Sequence, residues 1–117
     1  MQDNIILVKT FDFAVRVVKL YKFLKSNNEY VLSKQLLRAG TSIGANVNEA
    51  QAGLTKKEFI SKMSIASKEA RETKYWIKLL VKTDYLNIND SHVKTLLDDI
   101  DEIIKLLTII KTAQKSL

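Results

Sequence analysis

The chemically informative residues of this chain lie mostly between positions 33 and 82. Projected at about 100° per residue, Lys56, Lys57, Lys68, Arg71, Lys74, Lys78 and Lys82 fall within an arc of roughly 120° on a helix, with Tyr75 among them. Cations in a row can neutralise successive phosphates, and a ring set among them can stack on a base. Lys68, Arg71, Lys74, Tyr75, Lys78 and Lys82 therefore form a candidate nucleic-acid-binding stripe. A lysine face that only keeps the protein soluble is the other reading of this pattern. Upstream, Gln35, Arg38, Ser42, Asn46 and Glu49 align within roughly 80° of one another. They are expected either to fix helix register as a polar network within or between subunits, with Arg38 and Glu49 coupled in it, or to offer Arg38 to an anion or a partner. Ile65, Trp76 and Leu79, with Glu69 and Glu72 among them, project onto a ridge beside the main apolar seam. That ridge is a candidate oligomer interface, a wider core face being its alternative.

Catalysis lacks its parts. His92 is the sole imidazole, cysteine is absent, and the chain has neither a Glu-x-x-His pair nor a glycine-rich phosphate loop. No catalytic residue, metal or cofactor is expected, and His92 reads as a surface residue without a role. Asp98, Asp99, Asp101 and Glu102 would be scattered around a helix axis, so they read as a solvated face and not as a cation site.

The elements that must position these residues are helices. There is no proline and there are three glycines in 117 residues, which favours long uninterrupted helices. The length suits one domain over residues 1–117, and the 46% hydrophobic and 27% charged shares are those of a folded globular chain. The apolar run Ile5 to Val8 is too short for a signal-peptide core or a membrane span, so a soluble, cytoplasmic protein with no membrane partner is expected. Charge is uneven. Residues 1–82 hold 15 Lys and Arg against 7 Asp and Glu, and residues 83–117 hold 4 against 6, within a net +6. An anionic partner for the first three helices fits that asymmetry.

The first helix is predicted from about Thr10 to Ser26, with Phe11, Ala14, Val15, Val18 and Tyr21 inward and Val17, Leu20 and Leu24 widening the face. Ser26-Asn27-Asn28 is a polar break. Ser33 is a plausible N-cap for a second helix that reaches about Ala52, stopped by Gly53, with Leu36, Gly40, Ile43, Val47 and Ala50 as its seam. The small residues Ala39, Gly40, Gly44 and Ala45 would let a neighbouring helix come close. Thr55 and Glu58 have capping-box spacing and start a third helix that runs to about Lys82, with Phe59, Met63, Ala66, Ala70, Thr73, Ile77 and Leu80 inward. Asn87 to Asp90 is a turn. Asp90 or Ser91 caps a fourth helix, with Val93, Leu97, Ile100, Ile104 and Leu107 inward and Asp101 supporting Lys105. Four amphipathic helices with short links predict an all-α, antiparallel up-down-up-down four-helix bundle.

The block Leu32 to Ala50 (LSKQLLRAGTSIGANVNEA) resembles the signature of a bacterial four-helix-bundle family whose members include proteins encoded in intervening sequences of large-subunit ribosomal RNA genes. Phe59 to Trp76 (FISKMSIASKEARETKYW) is similar to the family's second block at the matching distance downstream. With Phe11 to Leu24 the resemblance spans most of the chain, while the fourth helix matches in pattern only. Arg38, Ser42, Asn46 and Glu49 fall on motif positions, and Gly40 and Asn48 look like ordinary variation. The resemblance implies an antiparallel bundle assembled as a ring-shaped homopentamer, and no catalytic residues. It also implies a ribosomal-protein label that comes from gene location. Related accessory proteins of diversity-generating retroelements are similar pentamers that bind nucleic acid and reverse transcriptase. Two functions follow as expectations: a non-enzymatic oligomer that binds structured RNA or another nucleic acid, or a scaffolding homo-oligomer that recruits a protein partner.

Overall fold

The computed structural model describes residues 3–116, which form α1 (Asp3–Ser26), α2 (Leu32–Ala50), α3 (Lys56–Lys82) and α4 (Ser91–Ser116). Each helix packs on its neighbour in sequence, and α4 returns to α1 along the least extensive of the four seams. Cross-helix partners run in opposite directions along the α1–α4 and α2–α3 seams. Residues 9 and 16 meet 102 and 99, and residues 38 and 49 meet 69 and 62, consistent with an up-down-up-down course. No described helix is long and apolar enough to cross a membrane.

α3 follows the predicted seam closely. Met63, Ala66, Ala70, Thr73, Ile77 and Leu80 are buried and Phe59 is half-buried, and Thr55 accepts the Glu58 N–H at 3.1 Å as its N-cap. The Glu58 carboxylate completes the turn by accepting the Leu54 N–H at 2.9 Å. The α2 seam is also as expected, but both of its ends differ. The helix stops at Ala50, two residues early, and Gly53 does not take a left-handed conformation. At the start, Ser33 is not the cap. Glu29 reaches forward from the link, and its carboxylate accepts the N–H groups of Val31, Leu32 and Ser33 at 3.2, 3.0 and 2.5 Å. Ser33 donates its hydroxyl back to the Glu29 carbonyl at 2.9 Å.

α1 starts seven residues before the predicted Thr10, and its buried face is turned. Ile6, Thr10, Phe13, Val17 and Leu24 point inward, whereas Phe11 is 68% exposed and Val15 is also exposed. The rotation follows from α2. A Cβ built on Gly40 would lie 2.8 Å from both Val17 γ-carbons, and one on Gly44 would lie 3.2 Å from the Thr10 carbonyl oxygen. The small residues of α2 thus receive α1 of the same chain, with Thr10 and Val17 seated on the glycines. In α4, Val93, Ile100 and Leu107 are buried as expected, but Leu96 and Ile103 are buried in place of Leu97 and Ile104, which are half-buried. Asp90, one of the two expected caps, accepts the His92 N–H at 2.8 Å.

Two helices end on left-handed residues other than glycine. Asn28 (φ 66°) and Asp84 (φ 68°) each follow a helix, and the next N–H bonds back to the carbonyl five residues earlier: Glu29 to Leu24 at 2.9 Å and Tyr85 to Leu80 at 3.0 Å. These are Schellman closures, and they reverse the chain without glycine.

Burial pushes the Glu29 carboxyl up, but the N–H groups of Leu32, Ser33 and Val31 and the Ser33 hydroxyl outweigh it and hold it below the ordinary glutamate value. Its ionised form therefore stabilises the fold above the ordinary glutamate range, and the contribution is lost as pH falls through the lowered folded value. E29Q should lower stability at neutral pH by about 1 kcal/mol, roughly 4 °C in Tm. The gap from the parent should close as pH drops below the glutamate range, as thermal melts across pH would record.

Candidate nucleic-acid interface

The α3 stripe opens onto a groove between α3 and α4. Arg71, Lys74, Tyr75, Lys78, Leu79 and Lys82 form one wall, and Asp101 and Ile104 of α4 form the other. The volume is about 700 Å³ and the groove is open to solvent along its length. Such a trough suits an extended ligand laid along it better than a small molecule enclosed within it. Five of the six predicted binding residues line it, and Lys68 is exposed farther toward the start of α3. Tyr75 is 58% exposed and sits edge-to-face on Trp76, with ring centroids 5.1 Å apart. One of its neighbours therefore fixes the ring while most of it meets solvent.

The cations differ in their partners. Lys74 donates to Asp101 at 2.7 Å, whereas Arg71, Lys78, Lys82 and Lys68 have no carboxylate partner among the described residues. Asp101 thus reaches across the groove and does not support Lys105 as the spacing suggested. Its acidic neighbours are also occupied. Asp99 accepts from Arg16 at 2.6 Å, and Arg16 further donates to the His92 carbonyl and the Thr95 hydroxyl, both at 2.9 Å. Glu102 accepts from Lys9 at 2.7 Å. Three of the four residues expected to form a solvated face instead tie α4 to its neighbours, and among the described residues no acidic or histidine cluster could hold a metal ion. His92 is exposed, and its backbone carbonyl is the group that Arg16 engages.

The polar stripe of α2 resolves into local bonds and two separate ion pairs. Ser42 donates to the Arg38 carbonyl at 2.6 Å and Asn46 to the Ser42 carbonyl at 2.8 Å, so both side chains are satisfied within their own helix. Gln35 is exposed. Arg38 forks between two carboxylates of α3, Glu69 at 2.9 Å and Glu72. Glu49 pairs with Lys62 at 3.5 Å. The expected coupling of Arg38 and Glu49 in one network is replaced by two clasps on different turns of α3.

The ridge of Ile65, Trp76 and Leu79 is less exposed than a free interface would be. Trp76 and Leu79 are half-buried, Trp76 against the core and Leu79 in the groove, and Ile65 is exposed. The Trp76 indole N–H is buried and is the one buried side-chain polar atom without a partner among the described residues. The larger exposed apolar stripe lies on α1, where Ile5, Val8, Phe11 and Val15 face solvent. The helical period predicts Phe11 and Val15 in the core, and both face solvent instead. The place of Asp101 in the groove depends on which way α4 turns, which the period of α4 leaves open.

Residues 2–109 match a family model described as 23S rRNA-intervening sequence protein. A crystal structure from Bacteroides thetaiotaomicron VPI-5482, of a protein of unknown function from the S23 ribosomal protein family, is 47% identical to this chain. The two superpose with a TM-score of 0.90 over 96% of this chain and 99% of that one. No curated protein matches.

Side-chain exposure bounds what the α2 clasps contribute. The Arg38 side chain is 51% exposed and the Glu69 side chain 12%, so R38A should cost about 1 kcal/mol, mostly by leaving Glu69 and Glu72 facing each other. E49A should cost less than about 0.5 kcal/mol. Because no partner is shared, the double variant should lie within about 0.5 kcal/mol of the sum of the two singles in urea unfolding.

Proposed function

Since the chain belongs to the 23S rRNA-intervening sequence protein family, we propose that it acts in the cytoplasm, without catalysis, as a homo-oligomer that binds RNA along the α3–α4 groove. The observation that carries this reading is the convergence of Arg71, Lys74, Tyr75, Lys78 and Lys82 on one open trough. Phosphates lie against the cations and an unpaired base stacks on Tyr75. The contacts are made to backbone and ring faces, so binding tolerates many sequences. Copies of the groove in a closed assembly engage one polyanion together, and weak contacts add to useful avidity.

Assembly is supported by the exposed α1 stripe, since a run of Val8, Phe11 and Val15 on successive turns is apolar surface that a lone bundle leaves in water. The family resemblance suggests a ring of five. In a closed ring the joints are heterologous, so the α1 face of one copy meets a second, different face of the next, and the same two faces recur at every joint.

Binding of a fluorescent single-stranded RNA, followed by anisotropy over a salt series, tests both parts when paired with light scattering. The affinity should fall linearly in log K against log salt. R71E/K78E should abolish binding with the assembly intact, and Y75A should weaken binding by roughly 1 to 3 kcal/mol per stacked base at an unchanged salt slope. R71E/K78E binding as tightly as the parent would leave the scaffolding role as the better account, with the lysines serving solubility. A parent protein that is monomeric at micromolar concentration would overturn the assembly, and F11E should dissociate it.

A further inference from the structure

The ion pair that crosses the groove carries a consequence for the strength of binding. Asp101 stands on the α4 wall, opposite Arg71, Lys78 and Lys82, and its carboxylate holds Lys74 at 2.7 Å. Lys74 is thereby the one groove cation with an acidic partner among the described residues. The Asp101 side chain is 53% exposed, so its charge faces the same solvent space that a phosphate would enter. Asp99 and Glu102 are turned toward α1 and occupied there, and of the α4 acids in ion pairs Asp101 alone borders the groove.

We propose that Asp101 is a built-in competitor for the anion site: it occupies Lys74, lowers the affinity of the groove below what its cations would give, and confines a bound strand to the α3 wall. The inference rests on the nucleic-acid reading of the groove. A phosphate that takes Lys74 must displace a carboxylate already there, and the freed Asp101 then recruits a cation from solution. The cation released from the nucleic acid is balanced by the one taken up, so Lys74 adds nothing to the salt dependence of the parent protein. The Asp101 charge also repels a strand that drifts toward α4, within a distance well short of the screening length at physiological salt. Arg71, Lys78 and Lys82 set the parent's binding, and Lys74 is held in reserve.

The test uses the full-length protein, a labelled single-stranded RNA, and the variants D101N, K74A and D101N/K74A. D101N should tighten binding about threefold to tenfold at low salt and steepen the slope of log K against log salt by about 0.7, the value of one added phosphate contact on a single strand. K74A alone should weaken binding, because it leaves the Asp101 charge unpaired in the groove, while D101N/K74A should return to the affinity and slope of the parent. Circular dichroism melts check that each variant is folded, which an exposed ion pair should hardly affect. If D101N binds like the parent or more weakly while R71E/K78E still abolishes binding, Asp101 is not a competitor and the groove assignment stands. If R71E/K78E has no effect, the groove assignment and the competitor role are both overturned.

Discussion

Everything in this bundle is arranged around how closely α1 can approach α2. At Gly40 there is no room for a side chain, because Val17 already fills the space a Cβ would need, and Gly44 lies under the Thr10 carbonyl. Neither Val17 nor Thr10 can retreat, since both are buried and Val17 is stiff at its only rotatable bond. The pair of glycines therefore fixes the rotation of α1. It sends Phe13 and Val17 inward and leaves Val8, Phe11 and Val15 outside. The exposed stripe is not a failure of burial. It is what remains when one face of a helix with apolar residues on several sides is chosen by a neighbour, and it places the proposed assembly surface on the side opposite the glycines.

How much of this is legible in the sequence depends on how polar the far side of each helix is. α3 reads correctly from Met63 to Leu80 in its apolar seam because lysine, arginine and glutamate occupy its outer face, so only one phase buries apolar groups. α4 is ambiguous for a definite reason: Leu96 and Leu97 are adjacent, as are Ile103 and Ile104. Two seams sharing Val93, Ile100 and Leu107 both satisfy a 3-4 alternation. α1 is worse, since Phe11 and Phe13 compete on equal terms until α2 decides. The basic stripe was readable because it lies on one helix. Its acidic counterpart was not, because pairing Lys74 with Asp101 spans two helices and depends on the rotation of α4. Glu29 was missed for another reason. Serine is the commoner cap by type, yet a longer carboxylate one turn upstream reaches three N–H groups at once.

The charges of the chain have a division of labour that composition alone conceals. The acids of α4 look like a solvated cluster, but their spread around the helix axis lets Asp99 and Glu102 grip α1 while Asp101 crosses to α3. What is left over is a surplus of positive charge on the outer side of α3. A long-range field of that kind draws polyanions in quickly whatever their sequence.

The seam between α1 and α4 differs from the other three in extent. Its cross-links are Arg16 to Asp99 and Lys9 to Glu102, partly exposed pairs, on the least extensive of the four packing surfaces. Ion pairs of that exposure weaken as ionic strength rises, and this seam has the least packing beside them to hold it closed. The molecule thus has a built-in order of opening. Amides of α4 should lose hydrogen-exchange protection ahead of those in α2 and α3, and more so in concentrated salt, so the helix that bears Asp101 is also the one least firmly held.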